Sequence, residues 1–188
     1  MPDTPTWDTS RYYADPSDVA ARLDVDPTDP VMLRRLAAAT DRLISDIGHP
    51  LHLVTDDEHF GSGDGGPTLA VPATPIVGTP TIEIDDTPVT GVQIGRRTGL
   101  LWRDAGWPRG LENVRIVYTH GYATIPGDVQ DVIIDAVEAA HSLDVGVEQV
   151  STGGESVKFT AGLVNGGTTL AWGRVADKYR LTGNGDGE

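Results

Sequence analysis

One stretch constrains the fold of this chain more than any other: Trp107-Pro108, then Asn113 through Tyr122, then Pro126-Gly-Asp-Val129. Val114, Ile116 and Tyr118 alternate with Arg115, Val117 and Thr119, and a period of two with β-branched and aromatic residues predicts a strand. Gly121 ends it. Pro126 suits the first helical turn, where its missing N–H costs nothing, and Asp128 places negative charge where the helix dipole favours it. A helix is therefore predicted over about 126–144. Val129, Val132, Ile133, Ala136, Val137 and Ala140 recur at spacings of three and four, so one face packs inward. A strand handing over to a capped amphipathic helix makes the chain α+β.

The remaining segments fit around that junction. Residues 1–14 are polar and proline-containing and read as a flexible N-terminal arm that orders on a partner. Ser17 caps a short helix to about Leu23, and Asp29-Pro30 opens a longer one to about Ile47, so 17–47 is helical with Leu33, Leu36, Leu43, Ile44 and Ile47 inward. Gly48-His49-Pro50 stops it. A small antiparallel β domain is then inserted over 51–118, with short strands expected at 51–54, 69–71, 81–84, 89–94, 99–102 and 114–118. Asp85-Asp86, Gly91, Gly95 and Asp104-Ala-Gly106 supply the turns. Past the 126–144 helix, 147–160 reads as an extended arm and 169–181 as a C-terminal helix, weakened by Gly173. Residues 183–188 read as a disordered tail. The expected architecture is a helical bundle with an inserted β domain and an extended C-terminal arm plus helix, the domain proper covering 15–182.

Charge and composition narrow the function. The 188 residues hold no cysteine, which removes disulfides and thiolate metal sites. No apolar run is long enough for a membrane span, and the acidic N-terminus is not a secretory signal, so a protein assembled in the cytoplasm is expected. Glycine (23) and proline (13) are abundant, which points to turns and extended segments whose surface needs a partner. The net charge of -14 opposes gripping phosphates, since nucleic-acid binding needs a concentrated basic patch. Between Arg115 and Lys158 no lysine or arginine occurs.

The order of these segments resembles a known family, the head-tail connectors (head-to-tail adaptors) of tailed bacteriophages. The resemblance rests on Asp18-Val-Ala-Ala-Arg-Leu23, Val71-Pro-Ala-Thr-Pro-Ile-Val77 leading into Thr81-Ile-Glu-Ile84, Gly99-Leu-Leu-Trp102 and Trp107-Pro108. It continues through Val117-Tyr-Thr-His-Gly-Tyr122, Pro126-Gly-Asp-Val129, Gly154-Glu-Ser-Val-Lys-Phe159 and Tyr179-Arg180. It spans about 15–182. The resemblance implies a non-enzymatic virion protein of the neck, forming a ring of twelve subunits that docks on the portal protein. It also implies a stopper or tail-completion protein on the other side and genomic double-stranded DNA passing through without specific binding.

Several residues are candidates for function. Asp128, Asp131, Asp135 and Glu138 fall on one stripe of their helix, and carboxylates lining a ring lumen would let a polyanion pass without sticking. The plain alternatives are a solvated face or contacts to arginines of a neighbouring subunit. In the C-terminal region, Val157 and Phe159 of the arm, with Trp172, Arg174, Lys178, Tyr179 and Arg180 of the helix, are candidates for docking on the portal or on adjacent subunits. Packing on the chain's own body is the competing account. His49, His52 and His59 with Asp56, Asp57 and Glu58 form the densest ligand-like cluster, and a monomeric metal-dependent enzyme is the alternative function; no established metal spacing is present. Gly61-Ser-Gly-Asp-Gly-Gly66 lacks the lysine of a phosphate loop and reads as a flexible hairpin loop. His120 has no accompanying nucleophile motif and reads as a turn residue, and Trp102 and Trp107 read as packing. No cofactor is expected.

Overall fold

The computed structural model describes residues 6–145 and 169–181. Among them the elements follow in the order α1 (Pro16–Leu23), α2 (Pro30–Ile47), β1 (Val54–Gly63), β2 (Thr68–Ala70), β3 (Ile76–Ile84), β4 (Thr87–Pro88), β5 (Gln93–Gly95), β6 (Leu100–Trp102), β7 (Gly110–His120), α3 (Gly127–Val145) and α4 (Leu170–Tyr179). The protein is mixed α+β, with antiparallel sheets inserted between helices. Two compact units form, one from 44–124 with 180–181, the other from 6–43, 125–145 and 169–179. The arm expected over 147–160, including Val157 and Phe159, and the tail over 183–188 lie outside the described residues.

In the β unit, β7 is the central strand. It pairs antiparallel with β1 on one side and β3 on the other, in the order β1-β7-β3-β4, while a second antiparallel sheet has the order β2-β6-β5. The alternation read in the sequence is the burial pattern: Val114, Ile116 and Tyr118 are buried and Arg115, Val117 and Thr119 are partly exposed. The three buried residues pack with Val71, Ile76, Ile82, Ile84, Leu101 and Trp107. Trp107 is fully buried, and its indole N–H donates to the carbonyl of Pro67 at 3.1 Å, so the ring's apolar body is buried without orphaning its polar edge.

Three expectations change here. The strand expected at 51–54 is instead β1, which starts at Val54 and runs through Asp56, Asp57 and Glu58. These are poor strand formers; pairing of Asp57 and Glu58 with Tyr118 and Val117 of β7 overrides propensity, and Asp56, at φ +53, lies in a bulge of that pairing. The single strand expected over 89–94 is replaced by β4, ending at Pro88, and β5, starting at Gln93, with Gly91 at φ +78 between them. The glycine run is not a flexible loop throughout, since Gly61 to Gly63 belong to β1. A Cβ at Gly63 would sit 2.0 Å from the carbonyl oxygen of Pro108, so glycine is required by the close approach of two backbones.

In the helical unit, Asp15 rather than Ser17 caps α1: its carboxylate accepts from the Ser17 N–H at 2.8 Å, with Pro16 in the first turn. Asp29 caps α2 by accepting from the Val31 and Met32 N–H groups. Met32, Leu36, Thr40 and Leu43 form the buried stripe, and on α3 Val129, Val132, Ile133 and Val137 do so, with Ala136 and Ala140 half-buried. The end of the expected N-terminal arm is part of this unit: Tyr13 and Ala14 are fully buried, and the Tyr13 N–H donates to Thr40 Oγ1 at 3.1 Å. Tyr12 and Tyr13 next to Ala14 supply apolar area that a polar reading of 1–14 overlooked.

Candidate functional site

The acidic stripe lies on α3. Asp128 stands in its first turn, and one carboxylate oxygen takes the Lys178 ammonium at 2.6 Å while the other accepts from the Tyr179 hydroxyl at 2.8 Å. Burial pushes the Asp128 carboxyl up, but these two donors, with the Val129 N–H, outweigh it and hold the group below the usual carboxylate range. The bond to Asp128 in turn raises the Lys178 ammonium. Further along α3, Glu138 meets Arg22 of α1 at 3.0 Å, and Asp135 lies 3.8 Å from the same guanidinium. The carboxylates at 128, 135 and 138 thus tie α4 and α1 to α3. Asp131 is exposed and makes no ion pair among the described residues. The sequence placed the four acids on one stripe; it did not pair them with Arg22 and Lys178, which stand far off along the chain in either direction.

The C-terminal helix divides the docking candidates. Trp172 packs within its own unit, as the competing account has it: with Val175 and Ala176 it is buried, only 4% exposed, and the Arg42 guanidinium stands over its ring, 5.4 Å from the centroid. Spacing of three and four puts these residues on the inner stripe, and Gly173 is accommodated within the helix. Lys178 and Tyr179 are engaged by Asp128, and Arg180 donates to the backbone carbonyl of Asp46 at 2.7 Å. Arg174 is exposed.

The histidines are distributed differently from the sequence cluster. His49 is buried, with Nδ1 3.0 Å from the Pro50 carbonyl oxygen; His52 forms an isolated bridge to Tyr122; and His59 lies on β1, where burial lowers its pKa against the pull of Asp57. Among the described residues no three histidine or acidic side chains converge as a metal site. The pair that does form is Asp57 of β1 with His120 of β7, Oδ2 to Nε2 at 3.1 Å. His120 continues the inward row of Val114, Ile116 and Tyr118, the signal that would have found it. Burial holds its imidazole below the ordinary value, with Asp57 opposing, and the neighbouring Tyr118 hydroxyl is pushed up to about 12 by burial and the Asp57 charge. A neutral imidazole bonded to one carboxylate serves here to fasten β1 to β7.

The outer face of the four-stranded sheet is charged and partly apolar. Arg115 bonds Glu58 on one side and Glu83 at 3.0 Å on the other, across three strands, and Phe60 beside them is 48% exposed. Two charged turns lie in the same unit, Asp85-Asp86 joining β3 to β4 and Arg96-Arg97 between β5 and β6 of the second sheet. Among the described residues no helix is long and apolar enough to cross a membrane.

No protein-family model matches the chain, and no curated protein matches it in sequence. Solved structures do match in fold. The chain is similar to a subunit from the neck of a native GTA particle computed with C12 symmetry, with a TM-score of 0.56 at 14% identity over 100% of this chain and 96% of that one. It is also similar to one from the neck of an empty GTA particle computed with C6 symmetry, with a TM-score of 0.54 at 15% identity and coverage of 100% and 96%. A third match is to a chain from the virion of a native gene transfer agent particle, with a TM-score of 0.53 at 14% identity and coverage of 98% and 97%.

Proposed function

We propose that this protein is a structural, non-enzymatic component of a phage-like neck, a ring-forming adaptor that docks on the portal and receives the stopper or tail-completion protein. The observation that carries this reading is the end-to-end likeness in fold to chains of neck assemblies, which takes in nearly the whole of both chains. The resemblance read from the sequence points the same way independently. In this reading the ring has twelve subunits, as C12 symmetry in one related particle suggests, and genomic DNA passes through it. A net charge of -14 favours passage without binding.

Within that role the residues divide by what they touch. Asp128, Asp135 and Glu138 hold the helical unit together, so a lumen-lining role falls chiefly to Asp131. Docking on the portal falls to exposed Arg174 and to the segment holding Val157 and Phe159, whereas Trp172 serves the fold. The test is mass measurement and electron microscopy of the purified chain alone and with the portal protein of the same particle. A ring, or a portal-bound complex with twelve copies by analogy with the C12 neck, is expected. A chain that stays monomeric in both conditions overturns the reading.

A further inference from the structure

The β unit carries opposite charges at the two ends of β3. Near its start, the Ile76 N–H donates to the Arg96 carbonyl and the Arg96 guanidinium donates to the Gly78 carbonyl at 2.6 Å, so the Arg96-Arg97 turn is fixed against that end. Val77 and Leu100 beside it are exposed, at 43% and 37%. At the far end, Asp85 and Asp86 form the turn into β4, both with positive φ, and the Asp85 N–H donates to the Asn113 carbonyl of β7 at 3.0 Å. That bond brings the turn beside Glu112 and Leu111, and Leu111 is 87% exposed, the most exposed large apolar side chain of the unit. Arg97, Asp85, Asp86 and Glu112 are exposed and make no ion pair among the described residues. β3 is bulged, and the β7 partners of its ends, His120 and Val114, are six residues apart, so at about 3.3 Å per residue the two ends stand roughly 20 Å apart.

One end therefore presents exposed Leu111 with three carboxylates, and the other exposed Val77 and Leu100 with two arginines. Such surfaces are complementary to each other but not to themselves. Two copies joined by them associate head to tail, a heterologous contact that leaves one end free on each copy and is satisfied throughout only when a ring closes. We propose that the Asp85-Asp86-Glu112 end, with Leu111, docks on the Arg96-Arg97 end, with Val77 and Leu100, of a second copy of this chain, and that this contact sets the subunit order of the ring. The inference rests on the ring reading above and adds the surface that builds it.

Charge exchange tests it. Asp86→Lys alone sets an ammonium against Arg97 of the next copy, and Arg97→Glu alone sets a carboxylate against Asp86. Each variant should assemble about 10-fold more weakly than the unaltered chain by native mass spectrometry at low salt, since juxtaposed like charges oppose association. An equimolar mixture of the two should recover assembly, because each variant then meets its complement in alternation. A second readout avoids the strained position 86. The chain has no cysteine, so Thr87→Cys and Arg97→Cys, made in separate chains and mixed under mild oxidation, should give an 87–97 linked dimer in excess of either homodimer. If the unaltered chain forms rings and both charge variants do so equally, with no preferred 87–97 link, the contact is overturned and the neck reading stands. If the unaltered chain is monomeric alone and with the portal, both fall.

Discussion

Gly121 and Gly48 have nearly the same backbone conformation, φ +91 and +94, in different surroundings. Around Gly48 nothing lies within 4 Å of a built Cβ. At Gly121 that atom would sit 2.1 Å from the carbonyl oxygen of His52 and 3.0 Å from that of Leu51, both of them backbone. Gly48→Ala therefore incurs the left-handed penalty alone, about 1–2 kcal/mol. Gly121→Ala incurs the same penalty and must also push the 51–52 backbone away. That displacement loosens two bonds, from the Gly121 N–H to the Pro75 carbonyl at 2.9 Å and from the Tyr122 N–H to the Leu51 carbonyl at 2.8 Å. At about 1 kcal/mol for each, the total is about 3–4 kcal/mol. Both glycines belong to the β unit, and buried Trp107 reports on it by fluorescence during urea unfolding. With a slope of about 2 kcal/mol per molar urea, Gly121→Ala should shift the midpoint about 1 M further than Gly48→Ala does. Equal shifts for the two variants would refute the claim that close approach, rather than φ, makes glycine necessary at 121.

Trp172→Ala should destabilise the helical unit by about 3–5 kcal/mol, because a buried indole is lost along with the Arg42 contact; a calorimetric melt that is unchanged would place Trp172 at the surface instead. Tyr179→Phe removes one of the donors that hold the Asp128 carboxyl down, so carbon-detected NMR titration should find that pKa raised, and an unmoved value would deny the hydrogen bond. His120 titrates below its ordinary 6.5 when folded, so between the folded and unfolded values the unfolded chain holds more protons and stability falls as pH drops. Urea midpoints should be flat above about pH 7 and decline below about 6.5, and His120→Gln should flatten that decline while leaving the share owed to His59, whose pKa is lowered in the same direction.

What the sequence made legible follows the range of the interactions concerned. The period of two in β7, the Asp29 cap and the spacing of α3 are encoded within a few neighbouring residues, and the structure has them at those positions. β1 was missed because Asp56, Asp57 and Glu58 oppose a strand locally. The energy that makes Asp57 and Glu58 part of one comes from β7, which follows Gly63 only after five other elements. The same distance hid the site contacts. Asp57 meets His120 across 63 positions, and Asp128 meets Tyr179 across 51. The acidic stripe could be counted along α3, but its cations lie on α1 and α4, which no helical period connects to it.

These pairings bear on how so acidic a chain would assemble in the proposed ring. At about 0.1 M salt, exposed charges farther apart than about 10 Å are largely screened, whereas those in contact still interact. The net charge of -14 therefore opposes association less than its size suggests, provided that the surfaces which meet are locally complementary. On α3 the chain achieves this internally by setting Arg22 and Lys178 against three of the four stripe acids. At the ends of β3, Arg97 and the carboxylates of Asp85, Asp86 and Glu112 are instead held apart by the length of the strand and make no ion pair among the described residues; in the proposed head-to-tail contact a second copy supplies the partner. In that proposal the cations are divided between bonds that stabilise the fold, such as those of Arg22 and Lys178, and an end that a second copy would cover.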